Sequence, residues 1–450
     1  MGLRRLAAAG AAIGVLVLGG VAAAQDLDLM RAAIAGAADH GLEKAQDARL
    51  LAGSDEAALS QRFADLVGEQ MRGRVSPRAV DHRWAYSVRT YDAASAISAA
   101  RQSGGLDGLA REAAAPGPRY VALLEARRRY VRIVAQGGWP VVPGVAPLRP
   151  GATDARVAAL RARLAAEGYE TGAGQLPQVY DAGLAEAVRL FQARSGLTPD
   201  AVVGGRTLAA LNVTAKTRLA QITANLERWR WLPRQLPPDR VEVNVPAAEL
   251  AYVQDGRTDF TMRVVVGAPK TATPLFVSAL SSIVFNPPWN VPDSIAIKEI
   301  LPKARANPSY LSRNGYRYVD GRLQQKPGPE SALGLIKFDF DSPFGVYLHD
   351  TPSKSAFLQD RRYLSHGCIR LAEPRRLADQ LLGLDGWTSE QVGAAIATGR
   401  TQRVGLQRSR PLYLLYFTAF VDEAGVLHFR EDPYGWDAKL LQAMQAKAAR

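Results

Sequence analysis

At 450 residues the chain exceeds what one hydrophobic core usually organises, so two or three domains are expected. Hydrophobic content of 47% with 22% charged residues suits a soluble globular protein and excludes a fibrous or wholly disordered one. The formal charge of +13 would favour an anionic polymer, but the arginines are scattered and no nucleic-acid-binding motif is present, so nucleic acid is not expected as a partner.

The N-terminus departs from this ordinary pattern. Arg4 and Arg5 precede an uncharged run from Leu6 to Ala24 that ends Ala22-Ala23-Ala24-Gln25. A positive start, an apolar stretch and a small-residue cleavage site predict a signal peptide over residues 1–24. Its removal takes away two positive charges and no acid, leaving +11. Retention as a membrane anchor is the alternative, although the Ala and Gly content makes the run weakly hydrophobic. No cysteine stands near the cleavage site to carry a lipid.

Residues 26–140 are predicted to be a helical N-terminal domain. Asp26 to Leu51 is alanine-rich with apolar spacing, Asp55 to Met71 repeats the pattern, and Tyr120 to Val134 is amphipathic with a basic face. Trp84 and Tyr86 are expected to pack inside this bundle, and Arg127-Arg128-Arg129 to lie on an exposed helix face. No chemistry is legible here. A Pro/Gly linker over 141–150, announced by Gly137-Gly138-Trp139-Pro140, marks a domain boundary.

Beyond it, Val157, Leu160 and Leu164 predict a helix ending at Gly168-Tyr169. Leu184, Ala187, Val188 and Phe191-Gln192 predict a second, and Thr207, Leu208 and Leu211 a third, after Gly196-Leu197-Thr198-Pro199-Asp200. This block, 151–213, resembles the three-helix peptidoglycan-binding module of cell-wall enzymes. It departs at Ala201, where glycine is usual. Most matching positions are core residues, so they speak for the fold more than for wall binding.

A connecting helix is expected over 214–238, from Thr214 to Trp231, stopped by Pro233 and Pro237-Pro238. The period then changes. Val241, Val243 and Val245 alternate with polar residues, as do parts of Leu250–Val253 and Met262–Val266, with turns at Asp255-Gly256 and Gly267. Ser278 to Phe285 is a further strand, followed by the rigid loop Asn286-Pro287-Pro288-Trp289-Asn290-Val291-Pro292 with an exposed aromatic. Ser294–Leu301 reads as helix. The polar stretch 302–330 is placed as a short cap or flap between core strands. Leu335–Phe340 and Gly345–His349 are strands; Arg375–Leu382 and Ser389–Thr398 are helices. Pro411–Val421 and Gly425–Arg430 form a hairpin about Asp422-Glu423-Ala424-Gly425, and the tail 438–450 is a peripheral helix.

The chemistry concentrates in Tyr363-Leu364-Ser365-His366-Gly367-Cys368-Ile369-Arg370-Leu371. It holds the sole cysteine and one of five histidines. After export, a lone cysteine cannot make an intramolecular disulfide, and a thiol among Ser, His, Gly and Arg reads as reactive rather than structural. Ile369 and Leu371 alternate with Cys368 and Arg370, as in a strand with one face on a core and the other on a cleft. His349 lies nineteen positions upstream in Tyr347-Leu348-His349-Asp350-Thr351-Pro352. An imidazole can take the thiol proton, the thiolate can attack a carbonyl, and the imidazolium can protonate the departing amine. Gly367 permits close backbone approach, amides near Gly367 and Cys368 can hold an oxyanion, and Arg370 can bind a carboxylate or serve an internal salt bridge. Spacing alone leaves His349 and His366 both open as the base. His40, His82 and His428 are placed as surface or structural.

The His, gap, Ser-His-Gly-Cys-x-Arg arrangement resembles the active-site signature of the L,D-transpeptidases, the cysteine enzymes with a YkuD-type catalytic domain that remodel peptidoglycan. The similarity runs from about Val241 to Asp437. It includes Val266-Gly267, Asn286-Pro287-Pro288-Trp289, the Lys326-Pro327-Gly328 to Leu333-Gly334 stretch and Tyr347 to Pro352. It is nearest the large periplasmic multidomain branch, from which an uninterrupted binding module and a short cap depart.

The resemblance implies a multidomain α+β chain: a helical N-terminal region, the small three-helix module, and a mostly β catalytic domain over 239–437 with a short cap insertion. It implies Cys368 as nucleophile, His349 as base, His366 and Gly367 on the oxyanion side, and Arg370, Tyr347, Ser365 and Trp289 in substrate binding. The implied reaction cleaves after the L-centre of diaminopimelate in a tetrapeptide stem, releases D-alanine and leaves a thioester. A second stem's amine resolves it as a 3→3 cross-link. Stem peptides are the implied partners and carbapenems the implied inhibitors; no cofactor and no metal are implied.

Three other readings stay open. Water or a lipoprotein could resolve the same thioester, giving a carboxypeptidase, an endopeptidase or an attachment enzyme. His349, His366 and Cys368 could converge on zinc, although no HExxH or paired-cysteine spacing supports it. The chain could also be a wall-binding scaffold with a catalytically silent domain.

Overall fold

The computed structural model describes residues 24–172 and 176–449. The signal peptide expected over 1–24 therefore lies outside the described residues but for its last position. Among the described residues no helix is long and apolar enough to cross a membrane.

Among the described residues fourteen strands follow the helical first half: β1 Arg240–Asn244, β2 Glu249–Gln254, β3 Arg257–Gly267, β4 Val277–Phe285, β5 Trp289–Asn290, β6 Tyr316–Val319, β7 Arg322–Gln325, β8 Ile336–Phe340, β9 Leu348–His349, β10 Tyr363–Ser365, β11 Ile369–Leu371, β12 Gln402–Leu415, β13 Ala419–Val421 and β14 Leu427–Phe429. Nine of them form one sheet in the order β10-β3-β11-β9-β8-β4-β12-β1-β2. β2 also pairs with β3, so eight of these strands close on themselves, with β10 added at the end of β3. The closure is possible because β3 is eleven residues long: its first part pairs with β2 and its last residues with β11 and β10. A closed ring leaves few strand edges free, and its interior is filled by Val264, Val266, Ile283, Phe285, Phe338, Leu348, Ile369, Leu371 and Leu412.

The helices Pro374–Gly383 and Ser389–Ala397 pack Leu377, Leu381, Leu382 and Val392 onto this core. The second starts at a Thr388/Gln391 capping box, two residues after the turn at Gly386. The expected strand Pro411–Val421 is two strands. β12 starts earlier, at Gln402, and turns after Leu415, where Phe417 stacks on Trp229 with ring centroids 4.7 Å apart.

The helix Ala215–Arg230 is the hub between the two halves. It packs along Pro118–Ala135, sharing a core of Leu123, Tyr130, Ile222 and Leu226 with the β13–β14 hairpin. Its last turn buries an ion pair, Glu227 with Arg230 at 2.7 Å, both fully inaccessible. Glu227 also accepts from the Val75 amide (2.8 Å), and Arg230 donates to His40 O (2.6 Å) and Tyr120 Oη (3.0 Å). These bonds offset much of the cost of burying the pair, although Arg230 Nε is left without a hydrogen-bond partner among the described residues.

This hub overturns several local expectations. Trp84 and Tyr86 do not pack inside the N-terminal bundle, whose own core is Met30, Phe63, Leu66 and Val67. Trp84 sits between Trp231 and Trp436, with centroids 5.2 and 5.1 Å away, and Tyr86 Oη donates to Leu414 O (2.6 Å). The tail helix, Trp436–Ala448, is likewise no peripheral element, since Trp436, Leu440 and Met444 are buried in the main core. The Arg127–Arg129 run is a solvated face only in part: Arg129 is exposed and Arg128 half-exposed, but Arg127 is not. Arg127 is buried against Ala38 O, Asp39 O and Thr223; Arg128 pairs with Asp39, and Arg129 donates to Glu167 O.

The three-helix module, Arg156–Ala166, Ala182–Arg194 and Gly205–Leu211, has a separate core of Leu160, Leu164, Leu184, Val188, Phe191 and Leu211. Gln192 ties its loop together, accepting from the Ala201 amide and donating to Asp200, each at 2.8 Å. Ala201 has φ +60°, a left-handed conformation that explains why glycine is the usual residue there.

The insertion between β4 and β8 forms its own small unit. β5, β7 and β6 make a three-stranded sheet, and Val291, Ala296, Ile300 and Leu323 form a core. Its first strand begins at Trp289, so the unit starts ahead of the predicted 302–330 segment. One turn of its helix, Ala296–Ile300, is π-helical.

Candidate active site

Register builds the site. β11 runs parallel to β9 with Ile369 opposite Leu348 and Arg370 opposite His349, which places Cys368 opposite Tyr347. Side chains two apart in a strand share a face. Tyr347, His349, Cys368 and Arg370 therefore stand on one face, while Leu348 and Ile369 point into the core with no exposure. β8 adds Lys337 opposite His349 on the same face.

His349 is buried, and its Nδ1 lies 2.5 Å from Asp350 O. A carbonyl only accepts, so Nδ1 carries the proton and Nε2 keeps its lone pair. Burial, with Arg370 and Lys337 adding repulsion, lowers the pKa to about 3, so the ring is neutral. Asp350 fixes this corner: its carboxylate accepts from Thr351 N (2.7 Å), Leu335 N (2.9 Å) and Lys354 Nζ (2.5 Å). Gly334, at φ +58°, leaves room for it; a Cβ there would lie 2.3 Å from Asp350 Oδ2.

Cys368 is half-buried and unpaired. Burial pushes its thiol pKa above 9.0, against the opposing influence of Tyr347, Lys337 and Arg370. Thiol and imidazole are thus both neutral at rest. Tyr347 packs edge-on to the His349 ring at 5.5 Å with Lys337 Nζ 4.5 Å from its own ring. Burial and Cys368 raise its phenol pKa, and Trp289 opposes, so these side chains form one cluster. Arg370 Nε is buried without a hydrogen-bond partner among the described residues, which leaves a costly donor available to a carboxylate.

The loop before the cysteine is held by hydroxyls. Ser365 Oγ donates to Cys368 O (2.5 Å) and accepts from Gly367 N (3.1 Å), while Thr273 Oγ1 accepts from Gly267 N (2.8 Å) and donates to Gly367 O (2.9 Å). Gly367 has φ +113°, a conformation side chains disfavour. Its amide, expected to face an oxyanion, is engaged by Ser365.

His366 stands apart from His349. It is exposed, and its Nε2 lies 2.6 Å from Glu299 Oε1 of the cap. Among the described residues no group of His, Cys, Asp and Glu is arranged to hold a metal ion. Trp289 is half-buried in the cap, near Tyr316. Lys337, Thr273 and Glu299 escaped the sequence reading. Lys337 alternates with Phe338 in a recognised strand, which was the available signal; nothing local marks the other two.

Residues 238–402 match the family described as the L,D-transpeptidase catalytic domain. Residues 153–211 match a domain described provisionally as peptidoglycan binding, and 20–126 match a scaffold domain. A Haemophilus influenzae protein, provisionally named an L,D-transpeptidase, is 32% identical over 250 residues, covering 51% of this chain and 49% of that protein. The chain thus matches about half the length of that relative. Among solved structures, an L,D-transpeptidase from Xylanimonas cellulosilytica is 19% identical, with TM-score 0.21, over 60% of this chain and 98% of that one. One from Stackebrandtia nassauensis is 14% identical, with TM-score 0.25, over 61% and 96%. The fold class expected from sequence, helical region, helical module, then a mostly β domain, is the one found. By these matches, residues 238–402 are similar to the YkuD-type L,D-transpeptidase catalytic domain, and residues 153–211 to a domain described provisionally as peptidoglycan binding.

Proposed function

We propose that the protein is an exported, periplasmic L,D-transpeptidase that forms 3→3 cross-links in peptidoglycan through a thioester on Cys368. The observation that carries this reading is the β9–β11 register, which sets Tyr347, His349, Cys368 and Arg370 on one face.

The donor stem presents a carboxylate at its D-alanine and a scissile amide. Arg370, with its unpartnered Nε, offers a cation to that carboxylate, beside Lys337, which is paired with Asp339. As the Cys368 sulfur attacks the carbonyl carbon, the thiol proton passes to the free Nε2 of His349. The oxyanion that forms is met by the Cys368 amide and the adjacent cations. Collapse breaks the C–N bond, the imidazolium protonates the leaving D-alanine amine, and a thioester remains. Burial suits this order of events, because a neutral pair stores no charge before substrate arrives.

The peptidoglycan-binding domain would keep the catalytic domain on the wall. Carbapenems are expected to acylate the same sulfur.

The test is product analysis after incubation with a disaccharide-tetrapeptide. A dimer lacking one D-alanine supports transpeptidation. Tripeptide alone would make the protein a carboxypeptidase, and neither product would overturn the proposal.

A further inference from the structure

The two half-reactions proposed above ask for opposite electrostatics. The donor brings a carboxylate, and its side of the site carries Arg370 and Lys337, the latter paired with Asp339 at 2.7 Å, which flank His349 on either neighbouring strand. The acceptor brings a side-chain amine, which is an ammonium near neutral pH and must lose a proton before it can attack. His349 is badly placed to receive it. It is buried, which is the main reason the ring stays neutral, and Arg370 and Lys337 beside it disfavour an ammonium.

A second acid–base pair stands in the loop that leads into the cysteine. Glu299 Oε1 and His366 Nε2 are 2.6 Å apart, with side chains 45% and 44% exposed, so an incoming group can reach both. His366 is two residues from Cys368, and Glu299 belongs to the π-helical turn of the cap. Such turns interrupt helical spacing and recur where a side chain is aimed at a site. We infer that Glu299 and His366 form the acceptor subsite, in which Glu299 binds the acceptor ammonium and His366 takes its proton.

This inference rests on the transpeptidase reading. With the Nε2 proton donated to Glu299, the other ring nitrogen holds a lone pair. The ammonium gives one proton to that nitrogen, and Glu299 stabilises the imidazolium. The freed amine attacks the thioester carbon, the C–N bond forms and the C–S bond breaks. The second amine proton passes to the departing Cys368 sulfur, and His366 returns its proton to solvent. One ammonium and one thioester give one amide, one thiol and one proton.

The test uses the whole protein with disaccharide-tetrapeptide as donor and acceptor, reading dimer, tripeptide and the Cys368 adduct from one reaction. Glu299→Gln keeps an oxygen for His366 and loses only the charge. The expected result is a fall of about tenfold or more in dimer relative to tripeptide, with partial recovery in Glu299→Asp. A Glu299→Gln protein that partitions like wild type would overturn the subsite. So would dimer and tripeptide falling in parallel, which would make Glu299 a structural support of the cap. Wild type that never acylates would sink the transpeptidase reading itself, and this one with it.

Discussion

Cys368 and His349 illustrate how environment, not identity, sets reactivity. A free thiol beside an imidazole is often drawn as an ion pair, yet burial here disfavours both charges. Alkylation of Cys368 by iodoacetamide should therefore be slow at pH 7 and climb with pH through and beyond 9. A rate already level at pH 7 would mean a thiolate at rest. The histidines also predict an acid limit. His349 and His40 are both lowered to about 3 by burial, whereas their unfolded forms bind protons near 6.5. Between those values the unfolded chain holds more protons, so stability falls as pH drops through that window and levels off below it. Urea unfolding at pH 7 and pH 4 should show the loss, and His349→Gln should lose less than wild type over the same interval. Equal slopes would place the linkage elsewhere. At this scale the motif was legible because cysteine and histidine are rare in the chain. Glu299 was not, since one glutamate among 43 acids gains meaning only when the cap lays it against His366.

At the scale of elements, alternation of valines announced the strands, and glycine and proline announced their ends. What alternation could not supply was the partner of each strand. β9 and β11, of two and three residues, fall where alternation placed strands, but nothing in either segment named the other as its parallel partner, and that pairing makes the site. The Gly334 corner tests how firmly that pairing is held. Gly334→Ala must overcome both a left-handed backbone and overlap with Asp350, whereas Gly321→Ala, at φ +75° with open space, meets the backbone strain alone. The Gly321 variant should lose on the order of 1 kcal/mol and keep its activity. Gly334→Ala should lose clearly more, with slower acylation as Asp350 shifts the His349 loop. Equal melting temperatures for the two variants would show that the corner yields freely.

Over the whole molecule, composition correctly suggested several cores, but the assignment of Trp84, Tyr86 and the tail helix to them failed. An aromatic in a helical stretch reads as core; nothing in its neighbours says whose core. Trp84 joins Trp231 and Trp436, and Arg228 links the same corner to Asp437 at 2.6 Å. The N-terminal region is thereby tied into the catalytic domain. Trp84→Ala should cost about 3–5 kcal/mol and lower the melting of the catalytic domain itself, seen as one shifted calorimetric transition. A catalytic transition left in place while another moves would show that the two regions fold independently.

The central claim is that Cys368 carries the acyl group. Intact-protein mass spectrometry of wild type and Cys368→Ala with a disaccharide-tetrapeptide tests it most directly. The account predicts a wild-type adduct equal to the donor less D-alanine, absent from the variant. No adduct in wild type, with a carbapenem also failing to label it, or an adduct that persists without the sulfur, would contradict the account.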